Sequence, residues 1–171
     1  IEAASNGQGT FTEINLEPKR ITAYIDISKQ FLIQDSVSAE ALIRADIVKA
    51  ITNKLEETIL GNAAGTTKQP AGIFYGADAL EDTSYETMVG LVKKLEEANV
   101  SGDFKYIVSP AAKAALKTTK KDAGSGLFVM ENGDIDGIPV LSTSACKGIV
   151  LGNFDDYIIG QWGSIDLTVD P

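Results

Sequence analysis

The sequence holds 171 residues, 15 Lys and Arg against 24 Asp and Glu, no histidine and one cysteine, for a formal charge of −9. With 44% hydrophobic and 23% charged residues, it is about one domain's worth of chain, able to bury a core and far from the composition of disordered proteins. The acidic balance argues against affinity built on neutralising phosphates, the missing histidine excludes Ser-His-Asp, Cys-His and His-ligated metal chemistry, and lone Cys146 excludes an internal disulfide. No apolar run reaches the ~18 residues of a membrane span.

In chain order, residues 1–10 with Ser5, Asn6, Gly7 and Gly9 read as a flexible lead-in, followed by a strand over Phe11–Leu16. After the Glu17-Pro18-Lys19 turn, Ile21, Ala23, Ile25 and Ile27 alternate with Thr22, Tyr24, Asp26 and Ser28, predicting a half-buried strand. Past Phe31-Leu32-Ile33, the polar residues Gln34, Asp35, Ser36 and Ser38 offer caps for a long helix over about 38–60, which Gly61-Asn62 stops. Its stripe of Ile43, Ile47, Ile51, Leu55 and Ile59 repeats every four residues. Such spacing drifts ~40° per step against a 3.6-residue turn, so the stripe wraps around a helix roughly 33 Å long. Glu40 and Arg44 are placed as an i,i+4 pair.

Gly61 to Gly76, including Gln69-Pro70-Ala71-Gly72-Ile73, is a turn-rich connector and marks a boundary between residues 1–76 and 77–171. Thr83 and Glu86 have capping-box spacing for a helix running to about Ala98. Phe104–Val108 predicts a buried strand, and Ser109-Pro110 opens a short helix with proline at its first position. Strands are then expected at Leu127–Met130, Ile138–Leu141, Ile149–Leu151, Tyr157–Trp162 and over Ile165, Leu167 and Val169, with Asn132-Gly133 as a hairpin turn. The class is α+β with a mixed or antiparallel sheet. Ending at Asp170-Pro171 straight after a strand pattern, the chain is expected to continue in a longer protein.

No constellation reads as an active site, metal site or cofactor site. Gly61–Lys68 has glycines and a lysine, but it follows a helix and lacks the Gly-Lys-Ser/Thr order of a phosphate loop. Gly124-Ser125-Gly126 lacks the third glycine of a dinucleotide fingerprint. Asn132, Asp134, Asp136 and Gly137 imitate half a calcium loop, yet its twelfth position is Thr143 rather than Glu, and a hairpin explains the same residues. Adjacent Asp155 and Asp156 point to opposite faces of an extended segment and read as solvated turn carboxylates. Lys113, Lys117, Lys120 and Lys121 form a basic cluster without interleaved aromatics, hence a solvated face. Cys146 has no base beside it and reads as inert, and Trp162 reads as core or interface.

The order of segments is more specific than any motif: Pro18-Lys19-Arg20-Ile21-Thr22-Ala23-Tyr24-Ile25-Asp26-Ile27-Ser28, the pause at Gln34-Asp35-Ser36, the long helix, the Gly61-Asn62 stop and Gln69-Pro70-Ala71-Gly72-Ile73. Gly137-Ile138-Pro139-Val140 and Leu151-Gly152-Asn153-Phe154-Asp155-Asp156-Tyr157-Ile158-Ile159-Gly160 complete it. From about Thr10 to Asp170 this series resembles the major capsid proteins of tailed bacteriophages, with the Hong Kong 97-like fold.

The resemblance implies that residues 1–76 are part of a peripheral domain, with sheet strands, a spine helix over about 38–60 and the connector, and that 77–171 are an α+β axial domain. It implies a fragment without the family's N-terminal arm, extended loop and C-terminal end. It further implies a structural, non-enzymatic virion protein of a phage or prophage that assembles with identical subunits as hexamers and pentamers into an icosahedral shell around DNA. Assembly would occur in the bacterial host cytoplasm, with scaffold, portal or maturation protease as further partners, no sequence-specific DNA contact and no membrane. An encapsulin-type nanocompartment shell is the alternative on the same fold, and a carboxylate- or metal-dependent hydrolase is the alternative from another class.

Overall fold

The computed structural model describes residues 13, 15–26, 38–77, 80, 82–124 and 126–163. The expectations for Phe11, Phe31–Ile33, the caps Gln34–Ser36, the Glu40–Arg44 pair and the strand over Ile165–Val169 fall partly or wholly outside these residues. The chain divides into a small unit joining Ile1–Pro18 with Ile159–Pro171 and a large one, Lys19–Ile158. In the small unit the Trp162 ring lies over Gly160, with Leu16 beside it.

The large unit begins with residues 19–26, which carry no ladder pairing. This corrects the strand expected from Ile21 onward. Alternating side chains become a strand only where a neighbour takes up the backbone N–H and C=O groups, and no described segment does so here. Helix α1, Ser38–Ile59, has 22 residues and matches the expected long helix. Ile43, Ile47, Ile51 and Ile59 are half-buried, whereas Leu42, Val48 and Leu55 lie exposed, as a stripe that winds around the helix requires.

Helix α2 is Tyr85–Glu97. Its N-cap is Ser84, whose Oγ accepts the Thr87 N–H at 3.2 Å, one residue beyond the Thr83 cap read from sequence. Asp82 decides the shift: its carboxylate accepts the Ser84 N–H at 2.9 Å and the Thr87 hydroxyl at 2.6 Å, which fixes Ser84 at the helix mouth. Thr83 instead turns toward Thr119, with 3.4 Å between hydroxyl oxygens. Strand β1, Phe104–Val108, leads into α3, Pro110–Thr118, with Ser109 capping and Pro110 in the first turn as anticipated.

Two tight reversals follow. Asn132 and Gly133 have φ of 51° and 97°, and Asp136 and Gly137 have 51° and 81°, the paired positive values of two-residue hairpins. They frame β2, Asp134–Ile135, against β3, Ile138–Ser142. Strand β4, Ile149–Asn153, completes a sheet of order β2-β3-β1-β4, in which β1 runs parallel to β3 and antiparallel to β4. The mixed sheet and α+β class therefore agree with the sequence reading.

Leu127–Met130 is not a strand. Its pairing is one bridge between Phe128 and Lys120, and Val129 and Met130 donate their N–H groups to the Thr119 and Leu116 carbonyls. The segment thus closes the end of α3 and drops Val129 and Met130 into the core. Tyr157–Trp162 is likewise no strand. The core joins Met88 of α2, Leu116 of α3, Tyr106 and Val108 of β1, Val129, Met130, Ile135 and Val140. All of it lies between residues 80 and 151 once its partly buried neighbours Leu80 and Leu151 are included.

Candidate functional site

Each segment that imitated a chemical site has a structural task. The Gly61–Lys68 loop wraps the end of α1: Thr66 accepts the Lys68 and Gln69 N–H groups on its hydroxyl at 3.2 Å, and the chain returns so that Gly72 donates to Ala63 O at 3.0 Å. A recess of about 150 Å³ beside the loop is lined by Gly61, Asn62, Ala63 and Gln69 together with Lys54, Glu57 and Lys147. The aspartates of the calcium-like segment belong to the two hairpin turns, with Asp134 accepting the Gly137 N–H at 3.4 Å. Among the described residues no group of three or more acidic or sulfur ligands converges.

Asp155 and Asp156 lie in a 3₁₀ turn, Phe154–Asp156, rather than in an extended segment. Asn153 organises it by accepting the Asp155 N–H at 3.2 Å and donating to Asp156 at 2.9 Å and to the Ser101 carbonyl at 3.0 Å. Its amide leaves no space for a side chain on Gly102, whose φ is 117°. Asp156 therefore positions the exit of β4.

The basic cluster is divided. Lys113 donates to Ser142 at 3.1 Å, while Lys121 donates to Asp136 at 2.7 Å and lies 4.5 Å from the centre of the Tyr85 ring. The Lys121 ammonium holds the Asp136 carboxyl below its ordinary range, and hydrogen bonding to Asp136 in turn raises the Lys121 and Tyr85 pKa values. This clip joins the mouth of α2, the loop after α3 and the second hairpin. Sequence reading missed it because its members are 36 and 15 positions apart, with no local signal beyond the hairpin that exposes Asp136.

Cys146 is buried, with its thiol directed at the Gly148 carbonyl at 3.3 Å, and burial raises its pKa. It is no thiolate nucleophile at neutral pH. A shallow open cleft of about 380 Å³ lies between α1 and residues 144–147. Lys54, Glu57 and Lys147 are in its lining; Glu57 pairs with Lys54 at 3.0 Å, and that bond lowers its pKa. The cleft brings no acid, base and nucleophile into one geometry.

What the chain does present is apolar surface outside its core. Tyr24 is 88% exposed, beside exposed Ile21 and Ile25; Leu42 on α1 is 60% exposed; Leu141 on β3 is 54% exposed; Ile158 is 77% exposed. In the small unit Trp162 is 57% exposed, so of its two expected placements the core is excluded. Contiguous apolar surface marks interaction sites, whereas single exposed side chains are ordinary. By register, Ile107 of β1 lies between Leu141 of β3 and Val150 of β4, an apolar row on the sheet face opposite buried Tyr106 and Val108.

Comparison with known proteins supplies a family. The phage capsid family matches residues 2–171. The major capsid protein of Halomonas phage phiHAP-1 is 27% identical over 168 residues, an alignment that covers 94% of this chain and 28% of that protein. The chain thus spans less than a third of the length of this relative.

Proposed function

From the premise that the chain belongs to the phage capsid family, we propose that it is part of a major capsid protein, the subunit of an icosahedral virion shell enclosing DNA. Identical subunits join as hexamers and pentamers in the full-length protein, and their fold is Hong Kong 97-like. In this reading α1 is the spine helix of a peripheral domain that includes residues 1–76, and residues 77–171 are an axial domain. The protein makes and breaks no covalent bond in this role.

One observation carries the proposal: the closed core occupies residues 80–151, while apolar side chains on α1, on residues 21–25 and on 157–162 remain in solvent. A subunit that tiles beside copies of itself needs such surface, and repeated interfaces can close a symmetric object. Chain neutrality toward DNA fits as well, since a charge of −9 supplies no counterion-release attraction to a packaged duplex.

The test is electron microscopy of the full-length parent expressed alone. Closed shells of uniform size are expected. A parent that stays monomeric over the whole accessible concentration range overturns the reading.

A further inference from the structure

At the end of α1 the backbone crosses itself. Ile73 donates its N–H to Ile59 O at 2.8 Å, Phe74 donates to Gly61 O at 3.0 Å, and Gly72 donates to Ala63 O at 3.0 Å. The returning strand of the connector thereby occupies carbonyls that a helix end leaves without an intrahelical partner. At the crossing point there is no room for one added carbon: a Cβ on Gly72 would overlap the Gly61 carbonyl oxygen, while a Cβ on Gly61 would lie 2.8 Å from Glu57 O in the last turn of α1. Leu60, beside it, is buried.

The next residue but one carries the contact onward. The Phe74 ring lies against Gly148, where a Cβ would meet its edge at 3.4 Å. Gly148 in turn accepts the Ser109 N–H at 2.8 Å and the Cys146 thiol at 3.3 Å. Ser109 ends β1 and caps α3. An unbroken path of backbone bonds and one aromatic contact thus runs from the last turn of α1 to the end of β1, an inner strand of the sheet.

We propose that the Gly61–Gly72 crossing, backed by Phe74 on Gly148, is a rigid joint that makes α1 and the α/β body a single mechanical part. Connectors rich in Gly, Ala and Thr ordinarily permit hinge motion. Here both glycines serve close approach instead of freedom. A load applied to the α1 surface by a neighbouring molecule is transmitted to the sheet, and any change of subunit shape is taken up elsewhere.

Hydrogen exchange on the full-length parent tests this whether or not the parent assembles, so the outcome is separable from the capsid reading. The amides of Gly72, Ile73 and Phe74 are expected to exchange at least about a hundredfold more slowly than in an unstructured chain. Gly72→Ala forces the crossing apart and brings those amides to within about threefold of the unstructured rate, while Cys146 stays unreactive to a small thiol reagent, reporting an intact body. Phe74→Ala, which leaves the crossing space unchanged, loosens the same amides less than Gly72→Ala. Gly90→Ala, in open space on α2, changes none of them. Exchange at the unstructured rate in the unmutated parent overturns the proposal, and so does full retention of protection in Gly72→Ala with Cys146 still unreactive. Should Gly72→Ala expose Cys146, the unmutated parent and Phe74→Ala decide between the same two results.

Discussion

Tyr106 carries its phenol into the middle of the core and donates its proton to the Met88 carbonyl at 3.2 Å. Burial first, and the Asp136 charge second, push its pKa up to about 12. The folded protein therefore holds a proton that the unfolded chain releases near the ordinary tyrosine value of about 10. Stability from this group is complete below pH 10 and fades as pH climbs toward 12, by up to roughly 1.4 kcal/mol per unit before discounting solvent screening. Tyr106→Phe loses a hydrogen bond of about 1 kcal/mol but cannot ionise. Denaturation followed at pH 8 to 12 should show the variant less stable at the start, with the two curves converging and crossing between pH 10 and 12. Parallel curves over that range would show that the phenol is not protected by burial. The same residue scale explains why no reactive side chain emerged: Cys146, Asp134, Asp136 and Asp156 are all held in structural bonds.

Among the elements, α2 separates local spacing from tertiary choice. Thr83 and Glu86 have capping-box spacing, yet Ser84 accepts the free amide because Asp82 anchors it from outside the helix. Ser84→Ala should cost about 1 kcal/mol, and Thr83→Ala distinctly less; equal costs in thermal melts of the two would restore Thr83 as the cap. Where an element's signals are local, they were legible. The glycine stop of α1, Pro110 in the first turn of α3, and Asn132-Gly133 all came out as read, since each depends on the torsions of one or two residues. Which strand patterns would find a distant partner was not legible, although β1, β3 and β4 did find theirs. Ile21–Asp26 and Tyr157–Trp162 have strand composition but no ladder neighbour among the described residues, and Leu127–Met130 was drawn onto the end of α3 by Thr119 and Leu116. The clip of Lys121, Asp136 and Tyr85 was hidden for the same reason. Its strength can be read directly: Asp136→Asn keeps a residue tolerant of the positive φ while removing the charge. Because Lys121 lowers the Asp136 pKa, the contribution is present above pH 3.8 and is lost as pH falls through the folded value. The variant should melt lower than the parent at low salt and neutral pH, with the gap shrinking at 1 M salt, where screening lengths fall to about 3 Å. A gap independent of salt would assign the loss to turn geometry.

For the whole molecule, the order of segments identified the family from sequence, whereas the exposed apolar side chains required coordinates. The repeating stripe of α1 reads from sequence as one that wraps around the helix, and in the structure Leu42, Val48 and Leu55 are exposed while Ile43, Ile47 and Ile51 are partly covered. In the proposed shell role, folding and assembly would draw on different residues of one helix. Leu42, Val48 and Leu55 are 60%, 40% and 37% exposed; lysine in their place can lay its stem over the same surface with its charge in water, so stability should move by no more than about 0.5 kcal/mol per site. Bringing six or more such charges together around each shell vertex or face, with their hydrophobic contacts gone, should abolish closed particles. The triple variant of the full-length parent is thus expected to keep the parent's melting temperature and to lose its shells in electron micrographs. Ile51→Lys supplies the contrast: it faces the covered side, so it should lower the melting temperature as well. If the triple lysine variant assembled normally, α1 would have to present those side chains to solvent in the particle, and the contact surface would have to be sought in residues 21–25 and 157–162 instead.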